Sequence, residues 1–566
     1  MIVLWASGCE LSQPTESAGP DSGTAQQAPP VDRPSTAAFP FFDATAVSGV
    51  DFVHDNGASK QRHFPETMAP GIALFDADLD GDLDLYAVNG GPLQAARGSR
   101  PPNRLYFNRG DGTFVDVTES SGAGDTGYGM GVAVGDYDGD GLPDLYVLNY
   151  GANALYRNLG EGTFAEVKLG VEDPSWSVGG AFLDFDHDGD LDLYVVNYLD
   201  YDMERARPCK AGTLTVYCSP ESFAPASDRL YRNDQDRFTD VSTPAGVVAD
   251  GRGMGLAVGD LDMDGDADIY VTNDRSRNHL YWNENGRFRE GGTEAGVGYS
   301  LAGQVEGGMG AVIADLTGEG RSSIFATNFQ KEPNRLFTYA GDGYFDDRTY
   351  ASGLGFASQE MVSFGMTALD VEGDGDLDLA VANGHVFDNA EQFIGGSSFA
   401  MPDQLFLNDG RGGFTAIQFP GQPLPSRGVA SGDIDGDGDP DLVIASCGGP
   451  LQVWRNDAGT KERFVVLKLE GAGANTAALG SRATARIGQR LLQREVAGGG
   501  SYASHSDSRL HFGTAAAGKI DHFEIRWPDG SVAEAQDIAA GQTVVWRQGE
   551  GIVARRPLGV PPERSR

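Results

Sequence analysis

The sequence predicts an all-β protein, a seven-bladed β-propeller followed by a small β-rich domain. An acidic phrase, D-x-D-x-D-G-x-x-D followed by Leu or Ile, occurs in six intact copies and one degenerate copy. Successive copies start 48 to 76 residues apart, and short apolar runs flank each one. Helix-period patterning is absent. Seven copies in phase with a repeat of this length predict seven four-stranded blades.

Each repeat contains four strand-like segments in a fixed order. In the second repeat, GMGVAVGD (129–136) is the first strand, the acidic loop follows, and LYVLN, ending at Asn149, is the second strand. NALYRN predicts the third strand, and a G-x-G-x-F turn leads into the fourth. The acidic loop therefore joins the first two strands of every blade.

The array of repeats begins with the fourth strand of a repeat and not with the first. FFDATAVSGV (41–50) matches the fourth-strand phrase FVDVTESSGA (114–123), although no blade precedes it. At the other end LQVWRND (451–457) reads as a third strand with no fourth strand after it. We expect the N-terminal strand to complete the last blade, because this closure pairs two otherwise open sheet edges. The predicted propeller spans residues 40–460.

The acidic loops are candidate calcium sites. Carboxylates on alternate residues followed by Gly match the start of a calcium loop, since Ca²⁺ takes six to eight oxygen ligands. We expect side-chain ligands from positions 1, 3, 5 and 9 and the backbone carbonyl from position 7, which explains why Leu142 is tolerated there. The candidate ligands are Asp76, Asp78, Asp80, Asp82 and Asp84; Asp136, Asp138, Asp140, Leu142 and Asp144; Asp184, Asp186, Asp188, Asp190 and Asp192; Asp260, Asp262, Asp264, Asp266 and Asp268; Asp370, Glu372, Asp374, Asp376 and Asp378; Asp433, Asp435, Asp437, Asp439 and Asp441.

About six calcium ions are predicted, with the degenerate loop at Asp315 empty. That loop has Thr317, Glu319 and Ser323 at positions 3, 5 and 9. Glu372 is longer than the Asp at the same position elsewhere, so the sixth loop is expected to bind more weakly. The alternatives are acidic turns without metal and, less well suited, Mg²⁺, which tolerates irregular protein cages poorly. The ions are expected to be structural, with a calcium-bridged ligand as the alternative.

The repeat resembles the FG-GAP/VCBS repeats of integrin-type propellers over about residues 40–457. From Phe464 the composition changes, and residues 461–550 resemble the ASPIC/UnbV domain. The matching phrases are Arg494-Glu495-Val496, Gly498-Gly499-Gly500, His511-Phe512-Gly513 and Trp527-Pro528-Asp529-Gly530. Thr476 and His505 depart from that pattern, standing where Arg and Gln are usual. A propeller with this module is similar to the cartilage acidic protein family, which implies extracellular calcium binding and no known reaction.

The net charge and the cysteines indicate which partners and which cellular location to expect. The formal net charge is −40, which excludes nucleic acid as a partner because no basic patch is present. Cys209 and Cys218 lie in one inserted loop and are expected to form a disulfide, which also fits the family's inserted loop. Ala6-Ser7-Gly8-Cys9 resembles the end of a lipobox, so residues 1–39 are predicted to be a truncated signal and disordered tether with lipidation at Cys9. Residues 551–566 are predicted to be a disordered tail. The expected location is extracytoplasmic, secreted or in an outer-membrane or periplasmic lipoprotein.

We expect a non-catalytic adhesion or ligand-binding protein. Blades 1, 3 and 6 carry insertions at the same position of the repeat, between the second and third strands, so their loops should rise from one rim of the propeller. We expect this rim to bind a protein or polysaccharide through aromatic side chains. The candidates are Tyr198, Tyr201, Tyr217, Phe223, His385, Phe387, Phe393 and Phe399. The competing interpretation is that these rings only pack the loops or cover the domain interface. The alternative function is a calcium-dependent polysaccharide-active enzyme, for which His505, His511, Arg494 and Glu495 are the candidate acid–base residues.

Overall fold

Antiparallel sheets of four strands, repeated along the chain, dominate the computed structural model, which describes residues 39–235, 237–457 and 461–560. Seven such units occur in this described part, and pairing of Asp274 with Gly307 joins units 4 and 5 into one larger sheet. From the first to the fourth strand, the units are Ile72–Phe75, Asp84–Ala87, Arg104–Asn108 and Phe114–Asp116; Gly129–Gly135, Asp144–Asn149, Ala154–Asn158 and Phe164–Val167; Ser177–Leu183, Asp192–Asn197, Arg229–Asn233 and Phe238–Asp240; Gly253–Gly259, Asp268–Ser276, His279–Asn283 and Phe288–Glu290; Glu306–Ala314, Ser323–Asn328, Arg335–Gly341 and Tyr344–Asp347; Ser363–Leu369, Asp378–Asn383, Gln404–Asn408 and Phe414–Gln418; Ser426–Gly432, Asp441–Ser446, Gln452–Asn456 and Phe41–Asp43.

The seven units close into a ring. Each first strand lies beside the first strands of the units before and after it, and the seventh lies beside the first. The fourth strand of the last unit is Phe41–Asp43, whose Phe41 pairs with Asn456. The predicted closure by the N-terminal strand is therefore confirmed, and the all-β propeller fold with it.

Neighbouring units are tied by the Asn that ends the third strand. Asn158 donates from Nδ2 to the carbonyl of Ala77 at 2.9 Å, in the acidic loop of the unit before it. Asn233 makes the same bond to Tyr137 at 2.8 Å, and Asn283 makes it to Phe185 at 2.9 Å. In unit 5 the corresponding residue is Tyr339, which cannot make this bond. The repeated Leu-Tyr-x-Asn phrase is thus explained by contact between units.

The C-terminal module consists of two four-stranded sheets. One sheet contains a parallel pair, Phe464–Glu470 with Gln542–Arg547, flanked by Leu510–Gly513 and Gly551–Pro557. The strands of the other, in spatial order, are Arg490–Glu495, Arg482–Ile487, Lys519–Arg526 and Val532–Ala539. Residues 551–557 were predicted to begin a tail, and this was wrong. They pair with Gln542–Arg547 because a short turn at 548–550 reverses the chain, and Leu558 is buried behind them.

A finger of the C-terminal module, residues 497–508, enters the centre of the ring. His505 N–H donates to Ile72 O at 2.8 Å, Val132 N–H donates to Ala503 O at 3.1 Å, and Ser501 N–H donates to Ala311 O at 2.6 Å. The finger thus pairs with inner strands of several units. The finger requires glycine where it approaches the third unit most closely, since a Cβ at Gly498 would lie 1.8 Å from Phe182 O.

The insertions of units 1, 3 and 6 meet on one side of the ring. Asn389 Nδ2 donates to Thr215 O at 3.1 Å, and Leu93 lies in one buried cluster with Tyr201 and Val386. A disulfide joins Cys209 to Cys218 within the unit 3 insertion. The small strands there are Leu199–Asp200, Cys209–Ala211, Leu214–Val216 and Ala224–Pro225. The short helices within the described residues are Phe64–Thr67, Thr118–Ser121, Pro220–Ser222, Ser242–Ala245, Leu354–Ser358, Ala390–Gln392 and Lys461–Arg463. Cys9 and residues 1–38 of the predicted tether lie outside the described residues.

In the part of the chain that the structure describes, no helix combines the length and the apolar character needed to cross a membrane.

Candidate metal centres

Five of the six intact loops bring three carboxylates together. In each, oxygens from positions 1, 3 and 9 lie within 4.8 Å of one another. The five groups are Asp76, Asp78 and Asp84; Asp136, Asp138 and Asp144; Asp184, Asp186 and Asp192; Asp260, Asp262 and Asp268; Asp433, Asp435 and Asp441. Carboxylate oxygens at this separation suit a hard divalent cation.

Position 9 is the anchor of each loop. Asp192 is fully buried, its Oδ2 accepts from Phe185 N at 3.1 Å, and its Oδ1 accepts from Asn233 N at 2.8 Å. The same two bonds recur in all six intact loops, the first from the residue at position 2 and the second from the third-strand Asn. This carboxylate therefore fixes both the loop and the third strand of its unit.

Position 1 combines a structural bond with an unused oxygen. Asp184 Oδ2 accepts from Gly189 N at 3.2 Å, and Asp433 Oδ2 accepts from Gly438 N at 3.0 Å. Both glycines have positive φ, 92° and 99°, which explains the Gly at position 6. Within the described residues, the Oδ1 atoms of Asp76, Asp184, Asp260 and Asp433 are buried and accept no hydrogen bond. Such atoms cost free energy unless a cation or a donor satisfies them.

Positions 5 and 7 do not join the triads. Asp188 Oδ1 accepts from Asp190 N at 3.0 Å, and Asp140 Oδ1 accepts from Leu142 N at 3.0 Å. The side chain at position 7 turns elsewhere, as Asp266 does toward His187 Nε2 at 2.8 Å. The carbonyl at position 7 remains a predicted ligand.

The fifth and sixth loops differ from the other five. In the sixth, burial and then repulsion by Glu372 raise the pKa of Asp378 well above its usual range, and among the described residues Asp370 is not part of a converging triad. In the fifth, Asp315 keeps the position-1 bond from Gly320 N at 2.9 Å, but Thr317 and Ser323 replace the carboxylates. The longer Glu372 side chain gives a physical reason for the departure of the sixth loop.

Burial and mutual repulsion raise the pKa values of these carboxyl groups. Burial raises the pKa of Asp144 to about 8 and that of Asp192 to about 9. Burial, together with neighbouring carboxylates, raises the pKa of Asp138 to about 6 and that of Asp435 to about 7. A bound cation would stabilise the charged carboxylates against both burial and mutual repulsion. Cation binding would therefore stabilise these loops.

The C-terminal module contacts the loops, which sequence reasoning missed. Thr476 Oγ1 donates to Asp136 Oδ2, and Arg482 Nη1 lies 3.2 Å from Asp260 Oδ2. Arg494 Nη2 donates to Gly375 O at 3.0 Å in the sixth loop. The charge distribution was the sequence signal for these contacts. Residues 461–560 hold 13 Lys and Arg against 10 Asp and Glu, so the module is basic in a chain of net charge −40.

The rim aromatics form a packed cluster more than an exposed surface. Tyr198, Tyr201 and Tyr217 are buried, and Trp176 lies 5.0 Å from Tyr198 between ring centroids. His385 is also buried, whereas Phe223, Phe387, Phe393 and Phe399 are half-buried. Beside the cluster lies a cavity of about 270 Å³, lined by Arg62, His63, Tyr201, Met203, Arg207 and Phe223.

The four candidate acid–base residues line one cavity of about 200 Å³ between units 5 to 7 and the C-terminal module. Glu495 Oε1 accepts from Asp260 N at 3.1 Å, and Arg494 donates to backbone carbonyls. His511 Nδ1 lies 3.1 Å from Gly438 O, where it can only donate. Burial lowers the pKa of His505 to about 4, which keeps that ring neutral. The four residues therefore lie at one cavity. Glu495, Arg494 and His511 also have hydrogen bonds to the backbone, and His505 is buried.

Family models match most of the described chain. The model "FG-GAP-like repeat" matches residues 76–147, 136–195, 215–271, 260–326 and 388–444. The model "ASPIC and UnbV" matches residues 471–553. Together they cover the acidic loops at Asp76, Asp136, Asp184, Asp260, Asp315 and Asp433 and the module that contacts them.

Three relatives share the name cartilage acidic protein 1. The mouse protein (Mus musculus) is 26% identical over 494 residues, covering 83% of this chain and 72% of its own length. The Xenopus tropicalis protein is 30% identical over 189 residues, 31% of this chain and 25% of its own. The human protein (Homo sapiens) is 36% identical over 98 residues, 15% of each chain.

Solved structures resemble this one only distantly. A lectin of Agrocybe aegerita that recognises non-reducing terminal N-acetylglucosamine has a TM-score of 0.38 at 16% identity, covering 69% of this chain and 95% of the lectin. A rhamnogalacturonan lyase has a TM-score of 0.36 at 13% identity, covering 69% of this chain and 72% of the lyase. At these scores the alignments add nothing to the fold seen in the strand pairing.

Proposed function

Because this chain belongs to the FG-GAP-like repeat family and carries an ASPIC and UnbV domain, we propose that it is an extracytoplasmic calcium-binding propeller that binds a ligand without catalysis. The observation that carries the calcium proposal is the set of five Asp triads, each of which has a buried oxygen without a hydrogen-bond partner among the described residues. Calcium fits better than magnesium, since it accepts many carboxylate ligands in irregular geometry.

The proposed ions are structural and about six in number. They would join positions 1, 3 and 9 of each intact loop, where the position-9 carboxylate already ties the loop to the third strand. The sixth loop is the weakest, because Glu372 is longer than the Asp at this position elsewhere and the loop forms no converging triad among the described residues. The loop at Asp315 holds no ion.

Native mass spectrometry tests this count. Calcium-saturated protein should carry six ions, and the triple variant Thr317→Asp, Glu319→Asp, Ser323→Asp should carry seven. Seven ions on the unmodified protein would show that the fifth loop binds, and fewer than five would refute the proposed sites. The matched control is Ala340→Asp, an exposed substitution in the same unit that should leave the count unchanged.

The weak calcium affinity expected of the loops and the disulfide in the unit 3 insertion support an extracytoplasmic location. The lipid anchor at Cys9 is part of this proposal. If it forms, the native gene product should sediment with membranes, and Cys9→Ala should release it.

The proposed ligand is a protein or polysaccharide at the insertion rim. The half-buried Phe223 and the exposed Arg207 line the cavity there, so a ligand would meet an aromatic edge and a cation. Binding arrays of glycans and extracellular proteins should give hits that Arg207→Gln weakens and Arg205→Gln does not, since Arg205 is exposed beside the cavity without lining it. Hits unaffected by both Arg207→Gln and Phe223→Ala would place the binding face elsewhere.

The alternative is a calcium-dependent polysaccharide-active enzyme. The convergence of Arg494, Glu495, His505 and His511 on one cavity is the observation in its favour. An activity screen on acidic polysaccharides separates the two functions. Turnover that His511→Gln abolishes would favour the enzyme, and its absence alongside array binding would favour the binding protein.

A further inference from the structure

A second cavity, of about 500 Å³, lies between the acidic loops of units 1, 2 and 7 and the C-terminal module. One wall contains Asp76, Asp136 and Asp433, and the opposite wall contains Lys468 and Arg556. We propose that this cleft binds a small hydroxylated carboxylic acid of sugar size. Its volume falls in the range typical of small-molecule sites, about 300–1,000 Å³.

Two cations on the module wall are available to a carboxylate. Of the four that line the cleft, Arg509 pairs with Asp507 at 2.7 Å and Arg547 pairs with Glu470 at 2.9 Å. Lys468 and Arg556 form no hydrogen bond or ion pair through their side chains within the described residues. Lys468 is half-buried and acts electrostatically on Asp76 without pairing with it. A half-buried ammonium of this kind gains from an anionic ligand.

The loop wall supplies oxygens that suit hydroxyl groups. Asp76, Asp136 and Asp433 line this wall of the cleft and present carboxylate groups. Hydroxyl groups donate hydrogen bonds to carboxylates and are also oxygen ligands that calcium accepts. The loop wall therefore favours a hydroxylated molecule over an apolar one, both with and without calcium. An anion with hydroxyls therefore matches both walls, with its carboxylate toward Lys468 and Arg556.

The cleft is open to solvent at one edge. Leu79 and Val560 line it and are 49% and 61% exposed. The buried Leu558 gives the cleft an apolar surface against which the C–H face of a sugar ring can pack. A small molecule can thus enter without separating the module from the ring.

Isothermal titration with D-galacturonic acid as the probe, on calcium-saturated full-length protein, tests the assignment. D-Galactose, which lacks the carboxylate, is the ligand control. Galacturonic acid should bind, galactose should bind at least about tenfold more weakly, and Lys468→Gln should weaken galacturonic acid about tenfold, the effect of one charge-assisted hydrogen bond. Lys519→Gln and Arg526→Gln, on the module but outside the cleft, should bind as the wild type does.

Arg556→Gln is the second variant in case Lys468→Gln lowers stability, because Arg556 is exposed. Equal binding of the two sugars, no binding, or equal losses in the cleft and control variants would overturn the assignment. The inference rests on the proposed function only in that calcium lowers the negative charge of the loop wall. Native mass spectrometry on the same samples separates the two failures: ions without galacturonic acid binding refute the cleft alone, and absent ions refute the calcium proposal as well.

Discussion

At the scale of single residues, the ninth position of the acidic loop has more than one role. Asp192 would hold an ion, and it also accepts two backbone N–H groups, from Phe185 and Asn233. Its neighbour Asp190, at position 7, is half-buried and outside the triad. Charge alone does not distinguish the two, and only burial and hydrogen bonding do.

Asp192→Asn should therefore lose one calcium ion and reduce the free energy of unfolding by about 1–3 kcal/mol, the cost of an unsatisfied buried polar group. The amide places an N–H₂ against one of the two backbone donors. Calcium titration and chemical denaturation measure the two effects. Asp190→Asn, in the same loop, is the control and should keep its ion; a similar loss in both variants would show that position 9 has no special role.

The raised pKa values of the loop carboxyls make the metal-free protein sensitive to pH. Burial raises the pKa of Asp144 to about 8 and that of Asp192 to about 9, against about 3.9 in an unfolded chain. A carboxyl group whose pKa is higher in the folded state favours folding below the unfolded pKa and loses that contribution as pH rises toward the folded pKa. In EDTA the melting temperature should fall between pH 5 and pH 9, and saturating calcium should remove most of the fall. A metal-free protein that becomes more stable over this interval would contradict the account.

At the scale of elements, the third-strand Asn is the unit's connection to its neighbour. Asn233 donates to Tyr137 O at 2.8 Å and to Leu191 O at 3.1 Å. Asn233→Ala should reduce the free energy of unfolding by about 1–3 kcal/mol, because two buried carbonyls lose their donor. Urea denaturation measures the loss. Asp234→Ala, at the exposed adjacent position, should change the free energy by less than about 0.5 kcal/mol; equal effects would mean that this bond contributes nothing between units.

The elements themselves were largely predictable. The strands, the loop between the first two strands and the return of residues 41–43 to the last unit all follow from apolar runs and repeated phrases, because these are local patterns. The strand Gly551–Pro557 was missed, since only four of its seven residues are apolar or small and its pairing with Gln542–Arg547 is set by the module. The rim tyrosines were predicted at one rim, but their burial depends on Trp176 and Phe64, which lie far away in sequence.

At the scale of the whole molecule, the C-terminal module is built into the ring through its finger. The segment Ala497–Ser508 has no alternating apolar pattern, so its sequence gave no sign of strand-like pairing; the partner strands come from the propeller. The contacts of Thr476 and Arg482 with acidic loops were likewise unpredictable, because they need the relative placement of two folded parts.

Two neighbouring glycines test the finger. A Cβ at Gly498 would lie 1.8 Å from Phe182 O, whereas a Cβ at Gly500 would meet its nearest atom, Ala311 O, at 3.8 Å. Gly498→Ala should lower the melting temperature by several degrees, because the finger or the third unit must move. Gly500→Ala should melt within about a degree of the wild type. If both substitutions are tolerated, the finger does not occupy the ring centre in solution.

Calcium in the acidic loops is proposed to hold the propeller together, and thermal melting with and without chelator tests this proposal most directly. An ion that binds only the folded protein stabilises it by about 2.7 kcal/mol per site at a hundredfold excess over Kd, so several sites together should have a large effect. The melting temperature should fall steeply in excess EDTA and recover with Ca²⁺ more fully than with Mg²⁺. An unchanged melting temperature in EDTA, with elemental analysis showing that no calcium remains bound, would contradict it.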